Sequence, residues 1–164
     1  GIDYDYRYSY SHVGYNLKPS DMNSAFGTEQ MKRLPTFIKK RNANFAKLKK
    51  IFDKYPEFIP PTHYKEATPS WFNYSVVIDN EWATFTRDDL VKYFEQNKIR
   101  CRLFFAGNIT RQPAFVGKGI IIGKLPVSDY LMKHAFLIAC HPKLTDDDIK
   151  YIGDTLAMFI KSKT

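Results

Sequence analysis

The chain has 164 residues, 44% of them hydrophobic and 26% charged, with a formal net charge of +8. That size suits one domain with a real core, and no apolar run approaches the roughly 20 residues a bilayer-spanning helix needs. Two cysteines, Cys101 and Cys140, exclude a disulfide scaffold and point to a reducing, cytoplasmic setting. The opening Gly1-Ile-Asp-Tyr-Asp-Tyr6 has neither the basic nor the apolar region of a signal peptide. A chain that begins with Gly instead of Met reads as a piece of a longer one.

Residues 1–11 carry tyrosine at every second position, Tyr4, Tyr6, Tyr8 and Tyr10. Period two predicts an extended segment with one aromatic face, either an edge strand or a base-stacking platform. A polar turn follows, with Gly14 freeing the backbone and Pro19 fixing it. Ser20 or Asp21 is placed to cap a helix over residues 20–33. Tyr15, Asn16 and Lys18 stand beside that helix start, where free N–H groups and the dipole favour an anion. The alternative is a plain loop-to-helix junction.

A second, longer helix is predicted over residues 35–55, with Pro35 in its first turn. Lysines and arginines between Lys32 and Lys54 interleave with Leu34, Phe37, Ile38, Phe45, Leu48 and Phe52. That pattern describes an amphipathic helix with a solvated basic face. Pro56, Pro60 and Pro61 stop the helix, and residues 56–69 read as a polar connector. A strand from Trp71 to Asp79 would put Phe72, Tyr74, Val76 and Ile78 on one face. Thr86 with Asp89 resembles a capping box, opening a helix to about Asn97, and Ile99–Phe105 reads as a strand.

The loop from Phe104 to Pro113 carries more chemistry than a connection needs. Asn108, Thr110, Arg111 and Gln112 offer dense hydrogen bonding, and Arg111 suits two-pronged contact with a phosphate or carboxylate. These groups could equally satisfy the loop's own backbone. Gly117, Gly119 and Gly123 make no dinucleotide or P-loop fingerprint. Ser128 is expected to cap a short helix to about His134, Phe136–Cys140 to form a strand, and Thr145-Asp-Asp-Asp148 to start the last helix. Strands alternating with helices imply a mixed α/β layer. HExxH, CxxC and GxSxG motifs are absent, no four-ligand metal set shows itself, and Cys140 reads as core. No catalytic residue is assigned.

Two phrases carry a family resemblance. Tyr10-Ser-His-Val-Gly-Tyr-Asn-Leu-Lys-Pro-Ser-Asp-Met-Asn-Ser-Ala-Phe-Gly27, followed by Glu29-Gln-Met-Lys-Arg-Leu-Pro35, resembles the DegT/DnrJ/EryC1/StrS sugar aminotransferase family. Pro69-Ser-Trp-Phe72 and the stretch Ile99–Phe115 are similar to its lipopolysaccharide-biosynthesis branch, the CDP-4-keto-6-deoxyglucose 3-dehydrase-like enzymes. Residues 133–145 and 117–125 depart from the usual dehydrase pattern.

The resemblance implies the C-terminal part of a fold-type-I, PLP-dependent transferase, α/β in class with an α+β small domain. Residues 1–34 would be the tail of the large cofactor domain with a dimer-crossing loop, and 35–164 the small C-terminal domain. The implied reaction uses PLP or PMP to remove the C3 hydroxyl of a nucleotide-linked 4-keto-6-deoxy sugar. In that branch a histidine upstream of this chain replaces the aminotransferases' lysine, so this piece alone would be inert. By the same resemblance, Asn16 and Lys18 would meet the cofactor phosphate across a homodimer. Asn108, Thr110 and Arg111 would lie near the nucleotide sugar. Some members also use an iron–sulfur reductase. A nucleotide-sugar aminotransferase and a basic nucleic-acid-binding module are the competing readings, the second prompted by the charge and the aromatics.

Overall fold

The computed structural model describes residues 18–104, 107–112, 117 and 119–163. The tyrosine-rich segment and the turn up to residue 17, Asn16 included, lie outside the described residues. Two compact units divide the chain, residues 1–35 and 36–164. Helix α1 (Asp21–Phe52) crosses that division through Pro35. This corrects the expectation of two helices, 20–33 and 35–55. An interior proline loses one backbone bond and crowds the preceding turn, at a cost of about 3 kcal/mol. Past the proline, Phe45, Leu48 and Phe52 hold one phase at 3.6 residues per turn and are buried in the second unit's core.

In the first unit the described residues are the start of α1. Ser20 is the cap: its Oγ accepts from Asn23 N–H at 3.3 Å, and its carbonyl accepts from Ser24 N–H at 2.9 Å. Lys32 pairs with Glu29 one turn back. Met22, Phe26 and Met31 are exposed.

The second unit is built on a four-stranded antiparallel sheet in the order β1 (Phe58–Ile59), β2 (Asn73–Ile78), β4 (Ala135–Ala139), β3 (Cys101–Leu103). Strands β2 and β3 both run antiparallel to β4, which lies between them, so β2, helix α2 (Arg87–Gln96) and β3 make a split β-α-β unit. In β2 every second residue is buried: Tyr74, Val76 and Ile78. Register sets Tyr74 opposite Ile138 and Val76 opposite Phe136. Against this face pack Phe45, Leu48 and Phe52 of α1, Leu90 and Phe94 of α2, and Ile149, Ile152, Leu156 and Phe159 of α4 (Asp146–Lys161). Cys140 is core, its Sγ donating to the Arg41 carbonyl at 3.2 Å. Phe72 falls outside the strand and is exposed, lying under the Arg41 guanidinium at 5.8 Å, so it does not join the buried row.

The Pro69–Phe72 motif has a structural role here. Asn42 of α1 brackets it, donating to the Pro69 carbonyl at 3.0 Å and accepting from Trp71 N–H at 3.3 Å. Trp71 then stacks on Phe45 with ring centroids 3.9 Å apart. Both capping boxes close: Thr86 with Asp89, and Thr145 with Asp148. Strand β1 falls inside the expected connector, residues 56–69, because two residues give no period and the edge of β2 supplies their partners. Helix α3 (Pro126–His134) starts two residues before Ser128, which is not its cap. Pro126, preset to helical φ, opens it instead.

Replacing Phe94 or Leu90, both fully buried, with alanine is expected to lower stability by about 2–5 kcal/mol. T145A, which opens one capping box, should cost about 1 kcal/mol. Urea unfolding midpoints at constant m-value check both.

Candidate functional site

The loop after β3 is shaped by one glycine. Gly107 adopts φ +64°, and a Cβ built there would stand 2.4 Å from Met132 Cβ of α3. Only glycine both takes that backbone and permits that approach. Asn108 follows and is 3% exposed. Its Oδ1 accepts from Thr110 N–H at 3.1 Å and from Thr110 Oγ1 at 2.7 Å, capping the 3₁₀ turn Ile109–Arg111. Its Nδ2 donates to Asp129 Oδ1 at 2.7 Å.

Asp129 stands in the first turn of α3, and sequence reasoning missed it. Its two carboxylate oxygens take the Nε and Nη2 edge of Arg111, the Nη2 bond at 2.5 Å. Those bonds, then the bond from Asn108, pull the Asp129 carboxyl down to about 2, and the same pairing raises Arg111. The signal available was an acid in the first turns of a helix, a common feature that by itself names no partner.

Asn108, Thr110, Arg111 and Asp129 line one pocket of about 490 Å³, closed on its other side by Ile121, Gly123, Lys124, Leu125 and Pro126. The structure thus brings the three loop residues together. Asn108 serves as the buried brace of the loop, while Thr110 and Arg111 reach the pocket. Among the described residues no hydrogen bond is made by Arg111 Nη1, and Lys124 adds a second cation. This donor set suits an anion with several oxygens, such as a diphosphate. Lys18 is exposed ahead of α1 in the first unit.

The described histidines each have a structural contact. His141 Nδ1 accepts from Lys143 N–H at 3.1 Å, His63 meets the Trp71 ring edge, and His134 stacks on Tyr130. Burial, helped by Glu95, pushes the Cys101 thiol up to about 12, and burial against Arg41's opposing charge takes Cys140 to about 11. Neither is a thiolate near neutrality. No group of three His, Cys, Asp or Glu that could hold a metal ion occurs among the described residues. No described helix is long and apolar enough to cross a membrane.

The sequence profile described as the DegT/DnrJ/EryC1/StrS aminotransferase family matches residues 1–157. The lipopolysaccharide biosynthesis protein RfbH of Salmonella typhimurium is 39% identical over 151 residues, covering 91% of this chain and 34% of the relative. The dTDP-4-dehydro-2,6-dideoxy-D-glucose 3-dehydratase of Saccharopolyspora spinosa is 35% identical over 158 residues, covering 96% and 34%. Among solved structures, E. coli GDP-4-keto-6-deoxy-D-mannose-3-dehydratase with bound hydrated PLP superposes with a TM-score of 0.79 at 26% identity, covering 92% of this chain and 38% of that one. The chain therefore spans about a third of the length of these curated relatives.

Two outcomes test the geometry. Because Asp129 is lowered from its ordinary 3.8 to about 2, the stability it contributes is full above pH 3.8 and is lost as pH falls through about 2. Its carboxyl resonance should titrate near 2, and in R111A should move up toward 3.8. G107A should destabilise by about 1–3 kcal/mol and displace the Asn108 resonances in the same spectrum.

Proposed function

This chain belongs to the DegT/DnrJ/EryC1/StrS aminotransferase family, and from that premise we propose that the whole protein carrying it is a nucleotide-sugar 3-dehydrase. The observation that carries the proposal is the joining of Thr110, Arg111 and Lys124 around one pocket, in a chain 35% identical to a protein named as a dTDP-sugar 3-dehydratase. In this reading the substrate is a nucleotide-linked 4-keto-6-deoxy sugar. Arg111 grips its diphosphate with the outer guanidinium edge, and Lys124 adds a point charge. Thr110 Oγ1, whose proton goes to Asn108, still offers acceptor lone pairs to a sugar hydroxyl. These contacts hold the ground state and the transition state alike, so they govern substrate affinity more than turnover.

The cofactor proposed is PLP, in its PMP form for the dehydration. Of the proposed donors, Lys18 is an exposed cation ahead of a capped helix start, chemistry that fits a phosphate. Asn16 is proposed to join it. When bound, the cofactor supplies the electron sink for departure of the C3 hydroxyl. This chain's part is to place the sugar and its phosphates. Residues 1–34 are proposed as the tail of the cofactor domain and 35–164 as the small domain. A homodimer, with Asn16 and Lys18 reaching the partner's cofactor, belongs to the same proposal, as do a cytoplasmic setting and, for a reducing member, an iron–sulfur reductase.

The aminotransferase reading rests on the family's own description. The nucleic-acid reading rests on the net charge and the aromatics alone.

The test supplies the whole protein, loaded with PMP, with GDP- and dTDP-linked 4-keto-6-deoxy sugars. Mass spectrometry is expected to show loss of the C3 oxygen. An amino sugar formed with PLP and L-glutamate would favour amino transfer instead, and neither product would remove both. R111A should raise KM by about 10–100-fold with kcat changed far less.

A further inference from the structure

We propose that Asp129 is the positioning residue of this pocket: it fixes which edge of Arg111 a ligand meets. The inference rests on the reading of Arg111 as the diphosphate contact. A guanidinium has five N–H donors in a planar fork. Asp129 takes the Nε and Nη2 edge with both oxygens. Among the described residues, the edge formed by Nη1 and the second Nη2 proton is left as the one an incoming anion can engage with two bonds.

The carboxylate is itself held. Asn108, buried in the loop, donates to Asp129 Oδ1 while its own Oδ1 caps the turn that carries Arg111. Turn and helix are therefore cross-braced through one amide and one carboxylate. The rotamer freedom of a long side chain that is 61% exposed is removed before a ligand arrives. Asp129's charge opposes an anionic ligand. Arg111 neutralises it, and Lys124 leaves the described pocket lining one positive charge in excess. The gain is one of orientation, which predicts an effect that exists only while Arg111 is present.

The experiment is a double-mutant cycle on the whole protein, with GDP and dTDP as probes in titration calorimetry and thermal unfolding as the check on folding. D129N should weaken binding roughly three- to thirtyfold in the wild-type background and cause no loss in R111A, where the unpaired carboxylate only repels the anion. In the wild type, the Arg111 Nε–H resonance should be protected from exchange, and D129N should abolish that protection. D129E keeps the charge and is expected to recover part of the affinity. D129A stands in for D129N if that variant does not fold, and an additive D129A–R111A cycle overturns the proposal. If R111A binds the nucleotides normally, the underlying reading of Arg111 fails and this inference falls with it. If R111A loses binding while D129N has no effect, or an equal effect in both backgrounds, the positioning role alone is refuted.

Discussion

A sheet with one apolar face must have that face covered, and the second unit is arranged around this requirement. Tyr74, Val76, Ile78, Phe136 and Ile138 form a continuous hydrophobic surface that three helices close. At about 25 cal/mol per Å² of apolar surface removed from water, side chains of this size contribute roughly 1.5–3 kcal/mol each. Burial raises the Tyr74 hydroxyl's pKa above its ordinary value, in keeping with a ring almost fully withdrawn from water. Helix α3 is tied to the same sheet by polar contacts instead. The Tyr130 hydroxyl donates to the Ile78 carbonyl of β2 at 2.8 Å, and from α2 Arg87 Nη1 donates to the Met132 carbonyl at 2.6 Å. With β3 and α3 both anchored, the loop between them has a fixed point at each end.

That suspension explains why a loop can present a defined constellation. Gly107 lets the chain press against Met132, Asn108 closes the turn, and Asp129 reaches across from α3 to take Arg111. Asn108 and Asp129 are paired before a ligand is considered, which is the condition for holding a half-exposed arginine in one orientation. The loop readings offered by sequence, ligand chemistry or self-satisfaction, are therefore not exclusive. Asn108 works on the loop itself, and the bond it makes gives Arg111 a fixed place at the pocket wall.

Much of the fold was legible because local chemistry and tertiary need agreed. Thr86 and Thr145 each stand three residues before an aspartate and cap as expected. Alternation through Tyr74, Val76 and Ile78 gave the strand and its buried face. Failures fall where a local signal met a stronger distant one. Pro35 announces a helix start, yet α1 runs through it and goes on to bury Phe45, Leu48 and Phe52 in the core. Ser128 is a good cap residue, yet Pro126 begins the helix earlier. Phe72 has the right parity for the buried row, but the strand begins one residue later and leaves it outside.

By itself the sequence determined the family, the helix and strand types, and that Asn108, Thr110 and Arg111 belong to one polar loop, since caps, periods and motifs are written in neighbouring residues. Only the tertiary structure decided that Asp129, 18 residues beyond Arg111, completes that loop. It also decided that β4 separates β2 from β3, and that Asn42 of α1 holds the Pro69–Trp71 segment in place. Pairings of this kind depend on which elements pack against one another, and packing is a property of the whole chain that no local pattern encodes.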